Sequence, residues 1–258
     1  MKLLAIDTTG AYSSIAIYDD GIVAQIINQE DYSHLQRLVP TIKQLMDEEE
    51  VRPEDLDAIA VSRGPGSFTG IRIGMATAKG LAQIWNKPIV EVPTLATFAY
   101  RDYDFGEIGE ELKLDEIAYC PVFDAKREQI YGGAYRYNSD EQIIPDSAYD
   151  LSEYLEKLLD ALKKSELKAV CFFGDGIKVY QEKLDAFAFE HFFAEDEDAY
   201  QTAFGVARLG LKLFEEGKTA TCYTAQPEYL RAAEAERKLA EKIKADSLKL
   251  GTDKENKY

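Results

Sequence analysis

The sequence predicts an α/β protein in which one βββαβα unit occurs twice. Three observations carry this reading. A short apolar strand, Leu3–Ile6, ends in Asp7 and a polar turn, and a second, Glu116–Phe123, ends in Asp124 and another polar turn. Each is followed by strand-like runs with period-two alternation and then by a strand–helix pair. A glycine-rich turn joins the apolar run Leu56–Val61 to a helical run Gly70–Trp85.

In the first half, Tyr12–Tyr18 and Ile22–Ile27 read as a hairpin around Asp19-Asp20-Gly21. Ser33-His34-Leu35-Gln36 has the form of a capping box, and Leu35, Leu38, Val39, Ile42, Leu45 and Met46 follow at helical spacing. Pro40 is expected to kink or restart that helix, because it lacks the N–H of the ladder. Pro88–Val92 reads as a short strand and Thr94–Tyr100 as a short helix. The second half offers Gln129–Tyr137, with a bulge at Gly132-Gly133, and a weaker strand near Gln142–Ile144. A helix at Leu151–Lys164, a strand at Ala169–Phe173 and a last helix from about Tyr200 to Glu216 complete it. Duplicated βββαβα with an acid at each first turn is the pattern of the actin-like (ASKHA, ribonuclease H-like) architecture of two lobes. The expected division is 1–102 for the first lobe and 103–230 for the second, whose last helix is able to pack back on the first, followed by a polar extension, helical or disordered, at 231–258.

With 258 residues, 46% of them hydrophobic, the chain is long enough for a substantial core. Its net charge of −17 repels nucleic acid and anionic membranes. Arg237 to Tyr258 holds an excess of basic residues, for which a solvated end is the plainer reading. The three cysteines are widely spaced, and Cys120 and Cys171 lie in apolar strands as small core residues. This usage and the lack of a long apolar run point to a cytoplasmic protein without a membrane span. Only two histidines exist, His34 and His191, so no His-x-x-x-His metal pair is possible.

The segment Ser62-Arg63-Gly64-Pro65-Gly66-Ser67-Phe68-Thr69-Gly70-Ile71-Arg72-Ile73-Gly74 places glycines at a helix N-terminus, where free N–H groups and the helix dipole favour anions. It lacks the Gly-Lys-Ser/Thr of a Walker loop and the spacing of the dinucleotide fingerprint. Asp7, Thr8, Thr9, Gly64, Gly66 and Ser67 are the weak candidates for a phosphate cradle, with Ser13, Ser14 and Asp124 beside them. The plainer alternative is a carboxylate that caps its own turn. In the helix that follows, Gly70, Gly74 and Ala78 recur every four residues, a bare face on which another helix can approach closely.

Taken together, the glycine segment, the opening Ala5-Ile6-Asp7-Thr8-Thr9, Asp124-Ala125-Lys126-Arg127 with Tyr131, and Pro227-Glu228-Tyr229-Leu230-Arg231 with Ala235-Glu236 closely resemble the TsaB (YeaZ) family, a branch of the glycoprotease M22 group. The resemblance reaches to about residue 236. It implies a non-catalytic subunit required for N6-threonylcarbamoyladenosine at tRNA position 37. Such a subunit pairs with the catalytic paralogue TsaD, or with itself in isolation, is joined by the ATPase TsaE, and meets tRNA only through the complex. No tightly bound cofactor is implied, since ATP and Mg²⁺ belong to the complex. The partner interface implied is a helix bundle mapping to Leu35, Leu38, Val39, Ile42, Gly70, Arg72, Ile73, Gly74, Thr77, Ala78 and Leu81. Gly74→Leu is accordingly expected to block pairing and leave the monomer folded. The alternative function is a stand-alone ATP-dependent enzyme or a metalloprotease-like protein of the same fold.

Overall fold

The computed structural model describes residues 1–28, 34–103, 105–106 and 112–231. Met1–Glu228 form one compact unit. A second unit starts at Tyr229, and the described residues include only its first three.

The unit contains two five-stranded mixed sheets. The first is formed by β1 (Lys2–Asp7), β2 (Ser13–Asp19), β3 (Ile22–Asn28), β4 (Ala58–Gly64) and β5 (Ile89–Pro93), in the order β3-β2-β1-β4-β5. The second is formed by β6 (Ile117–Asp124), β7 (Gln129–Arg136), β8 (Gln142–Asp150), β9 (Ala169–Phe173) and β10 (His191–Phe193), in the order β8-β7-β6-β9-β10. The two orders are the same when each sheet is numbered from its own first strand. In both, the first three strands are antiparallel neighbours and the fourth and fifth join in parallel. This is the duplicated actin-like unit read from the sequence.

Five α-helices are described: α1 (His34–Glu48), α2 (Phe68–Trp85), α3 (Leu151–Leu162), α4 (Gly176–Asp185) and α5 (Ala203–Glu215). Helices α1 and α2 cover one face of the first sheet, burying Leu38, Ile42, Leu45, Met75 and Ala78 against Leu4, Ile6, Ile15 and Ile59. Helix α5 covers the other face, where Ala203, Val206 and Ala207 meet Leu3, Ala5, Ala60 and Val90. A Cβ on Gly210 would lie 2.8 Å from that of Ala60, so the small residue sets how closely α5 approaches the sheet. Helices α3 and α4 cover the outer face of the second sheet through Leu151, Tyr154, Leu158 and Leu184. Between the sheets lies an aromatic core in which Phe98 packs on Phe123 and Phe173, and Tyr119 stacks on Phe173.

Four local readings are corrected. Helix α1 runs through Pro40 without restarting. Pro40 is exposed, so water can serve the carbonyl its missing N–H leaves free. The weak strand near residue 142 extends to Asp150, because β8 is an edge strand and Pro145 costs no ladder bond on the open side. Helix α4 and strand β10 fill the stretch after Gly174-Asp175-Gly176 that the sequence left without elements. The helix after the glycine loop starts two residues earlier than expected, at Phe68, behind Ser67 as its N-cap. The Ser33 capping box and the extension from residue 232 lie outside the described residues.

Candidate functional site

The glycine loop occupies the step from β4 to α2 and is pressed between two other segments. Gly64 has φ +122, a left-handed conformation that favours glycine, and a Cβ there would stand 2.4 Å from the carbonyl of Glu228. A Cβ on Gly66 would stand 2.5 Å from the carbonyl of Thr9. The Ser67 N–H donates to that Thr9 carbonyl at 2.7 Å, and the Ser67 hydroxyl accepts from the Gly70 N–H at 3.3 Å. The Thr8 hydroxyl donates to the Gly70 carbonyl at 2.7 Å. The β1–β2 turn therefore sits on the N-terminus of α2, using part of the hydrogen-bonding capacity that an anion would use.

Asp7 is fully buried at the end of β1. One carboxylate oxygen accepts from the Thr9 N–H at 2.8 Å and the Thr9 hydroxyl at 2.9 Å, and the other accepts from the Ser62 hydroxyl of β4. The carboxylate thus organises its own turn and ties β1 to β4. Across the turn, the Gln201 side chain lies where a Cβ on Gly10 would be, 2.0 Å from its Nε2. Gln201, only 6% exposed, reaches the Thr9 hydroxyl at 3.4 Å, and the Ser14 hydroxyl accepts from the Ala203 N–H at 2.7 Å. The space over the turn is filled by the chain itself. Gln201 was not singled out by the sequence, since a role that depends on meeting a turn 192 residues away leaves no local signal; Ser62 opens the glycine segment, but the sequence did not point to its bond with Asp7.

Asp124 plays the matching part in the second sheet. It accepts from the Lys126 N–H at 2.8 Å and the Tyr180 hydroxyl at 3.0 Å, and pairs with the Lys126 ammonium. Burial opposes its charge, but the hydrogen bonds from Lys126 and Tyr180 prevail and hold its carboxyl below the usual range. Asp175, whose carboxylate accepts from the Asp124 N–H at 3.0 Å, is pushed up by burial. Among the described residues, no group of three His, Cys, Asp or Glu side chains is placed to hold a metal ion. No helix in them is long and apolar enough to cross a membrane.

The expected partner face divides in two. Gly70, Gly74 and Ala78 point into the molecule: a Cβ on Gly70 would be 1.9 Å from the Thr8 carbonyl, and one on Gly74 would be 2.4 Å from the Thr8 hydroxyl. Their small size is required by the fold, so Gly74→Leu is corrected to a substitution that strikes the monomer itself. Leu38 and Ile42 are likewise core residues. Ile73, Thr77 and Leu81 are half-buried, Arg72 is exposed, and the side chain of Leu35 is outside the described set. The outward face of α2 carries Arg72, Ala76, Gly80 and Ile84, with Phe68 at its start. Arg72 lies over the Phe68 ring at 3.8 Å, Ile84 is 79% exposed, and Val39 of α1 is 51% exposed. Among the described residues nothing lies within 4 Å of a Cβ placed on Gly80, so its smallness has no explanation among them.

A family model described as TsaD, tRNA N6-adenosine threonylcarbamoyltransferase, matches residues 13–239. The Bacillus subtilis tRNA threonylcarbamoyladenosine biosynthesis protein TsaB is 32% identical over 248 residues, spanning 95% of this chain and 100% of the relative. The chain belongs to the TsaB family. The Escherichia coli TsaB is 27% identical over 93% of this chain and 98% of its own length. A Pseudomonas aeruginosa crystal structure, described as an uncharacterized protein with similarity to peptidase YeaZ, superposes with TM-score 0.72 at 25% identity, covering 89% of this chain and 99% of that one. A second structure, YeaZ from the same organism, gives TM-score 0.66 at 24% identity over 88% and 99%. The glycine loop and the Asp124 turn of this TsaB-family chain fall within the region matched by the family model, and the Asp7 turn lies just before it.

Proposed function

We propose that this chain serves in making N6-threonylcarbamoyladenosine in tRNA as a docking subunit, pairing with a TsaD homologue through the outward face of α2 and the exposed edge of α1, and giving a TsaE homologue a paired surface to join. Its relatives are named for that biosynthesis. The observation that carries the docking role is the outward row Arg72, Ala76, Gly80 and Ile84. A solvent-facing glycine inside an 18-residue helix costs about 1 kcal/mol relative to alanine, and close approach of a partner helix is what offsets it. The acids of both first turns are engaged within the chain, which favours a subunit that supplies surface over one that supplies reacting groups.

The test is a leave-one-out reconstitution. Unmodified tRNA is incubated with TsaC, TsaD and TsaE homologues, threonine, bicarbonate and ATP, with and without this chain, and modified adenosine is counted by mass spectrometry. Modification that requires the chain, and is lost with a folded Gly80→Leu variant that no longer co-elutes with the TsaD homologue, is the expected result. Equal modification without the chain overturns the proposal. Tight calorimetric binding of ATP with Mg²⁺ by the isolated chain would favour the enzyme reading instead.

A further inference from the structure

We propose that a pocket between β4, β5 and the C-terminal turn of α5 binds a free aliphatic α-amino acid as a zwitterion. The pocket has a volume of about 430 Å³, and its lining among the described residues includes Arg63, Glu91, Pro93, Leu213, Lys218 and Thr219. That volume lies in the range of small-molecule sites and holds such a ligand together with water. The established biosynthetic role assigns nothing to this place, which is apart from the β1–β2 turn and from the outward face of α2.

Backbone contacts fix the walls before any ligand arrives. Ile89 and Ala220 exchange two hydrogen bonds of 2.8 Å, which pins the segment after Thr219 to β5. Helix α5 ends in a tight turn in which Gly217, at φ +73, donates to the Phe214 carbonyl and Lys218 to that of Leu213, each at 2.9 Å. One oxygen of the Glu91 carboxylate accepts from the Gln226 N–H at 2.6 Å, and the other has no hydrogen bond among the described residues. The Arg63 Nε lies 2.8 Å from a Glu228 carboxylate oxygen, and the two terminal amino groups of Arg63 have no partner among the described residues. The same is true of the Thr219 hydroxyl, while the Lys218 ammonium pairs with Glu216 at 2.7 Å.

The class of ligand follows from the charge balance. Arg63 offers a planar fork of donors that suits a carboxylate, and the Thr219 hydroxyl is a further donor. The open oxygen of Glu91 is an acceptor for an ammonium group. Pro93 and Leu213, both half-buried, supply the apolar wall that an aliphatic side chain needs. A net anion is disfavoured, because Glu228 and Glu216 already accompany Arg63 and Lys218, Asp146 of β8 is close enough to feel Arg63, and the chain carries a net charge of −17. A net cation is disfavoured by Arg63 and Lys218 in the lining itself. A zwitterion adds no net charge and gives each open group its counterpart. The pocket does not depend on the docking role proposed above.

The test is a titration of the full chain with L-leucine, followed by the Leu213 methyl resonances, with circular dichroism confirming the fold of each variant. Those resonances are expected to shift saturably, and the melting temperature to rise as the pocket fills. L-Leucinamide, which lacks the carboxylate, and N-acetyl-L-leucine, which lacks the ammonium, are each expected to bind roughly tenfold more weakly. Glu91→Gln is expected to weaken L-leucine by a similar factor and to leave N-acetyl-L-leucine unchanged. Arg63→Gln is expected to weaken L-leucine and to spare L-leucinamide; if that variant fails to fold, Glu91→Gln and the two analogues still decide. No shift with L-leucine overturns the proposal. So do equal binding of L-leucine and both analogues, L-leucine binding that Glu91→Gln leaves intact, or inorganic phosphate that binds the same place more tightly than L-leucine.

Discussion

The first turns of the two sheets hold equivalent places in the same strand order, yet they are supported differently. In the first sheet, Asp7 is sealed between Thr9 and Ser62, the α2 N-terminus leans on Thr8 and Thr9, and Gln201 closes the remaining side. In the second, Asp124 holds a turn whose next residues, Lys126, Arg127 and Glu128, all adopt left-handed conformations with φ near +60. Each such non-glycine residue costs roughly 1–2 kcal/mol. The glycine steps differ less. A Cβ on Gly176 at the start of α4 would meet the Val122 carbonyl at 2.6 Å, as one on Gly70 would meet that of Thr8. Helix-to-strand closeness is thus a property of the repeated unit, whereas the burial of the turn belongs to the first copy alone. The first copy also has the longer helix, and that length is what leaves an outward face beyond the contact with Thr8.

The sharpest way to break this comparison is Gly70→Leu, which drives a side chain into backbone. It is expected to cost about 3 kcal/mol or to prevent folding, read from denaturant unfolding. A variant of natural stability would show that the turn and α2 are not in contact. Next is Asp7→Ala, which strips three hydrogen bonds from a sealed site and is expected to cost about 2–3 kcal/mol. Asp124→Ala, beside a more open turn, is expected to cost less, about 1 kcal/mol. Equal losses in the two would remove the distinction between the turns.

The third prediction concerns acids of the second sheet. Burial pushes Asp146 up to about 6, against the hydrogen bond from Tyr135. Because its folded value lies above the unfolded one, its contribution is full below a pH of about 4 and is lost as pH rises through 6. Asp146→Asn is therefore expected to raise stability above pH 7 by about 1–2 kcal/mol, with little effect in acid. Asp124, held low, has the opposite sign: its contribution is present above the unfolded value and lost as the pH falls. Thermal melting against pH for each single variant separates the two. The smallest effect is that of Gly80→Leu on the monomer, where helix propensity predicts a gain of about 0.5–1 kcal/mol in melting experiments, the reverse of Gly70→Leu ten residues earlier.

Those two glycines also show what was legible in the sequence. The four-residue spacing of Gly70, Gly74 and Ala78 correctly marks one face of a helix that must come close to something. It does not say to what, because a strand turn and a partner helix ask for the same small residues. The repeated strand–acid–turn pattern was readable because period-two apolar runs and polar turns are local signals. Helix α4 was missed because a 10-residue helix with Tyr180 in a non-helical conformation gives a poor 3.6-residue repeat.

By itself, then, the sequence determined the duplicated unit, the positions of the two acids and the glycine step, since each rests on periodicity or backbone freedom within a few residues. Only the tertiary structure decided that Asp7 bonds inward, that Gln201 fills the turn, and that Gly80 rather than Gly74 faces outward. These depend on which segments meet across long separations in the chain, and on the rotation of α2 about its axis, which packing against Thr8 sets.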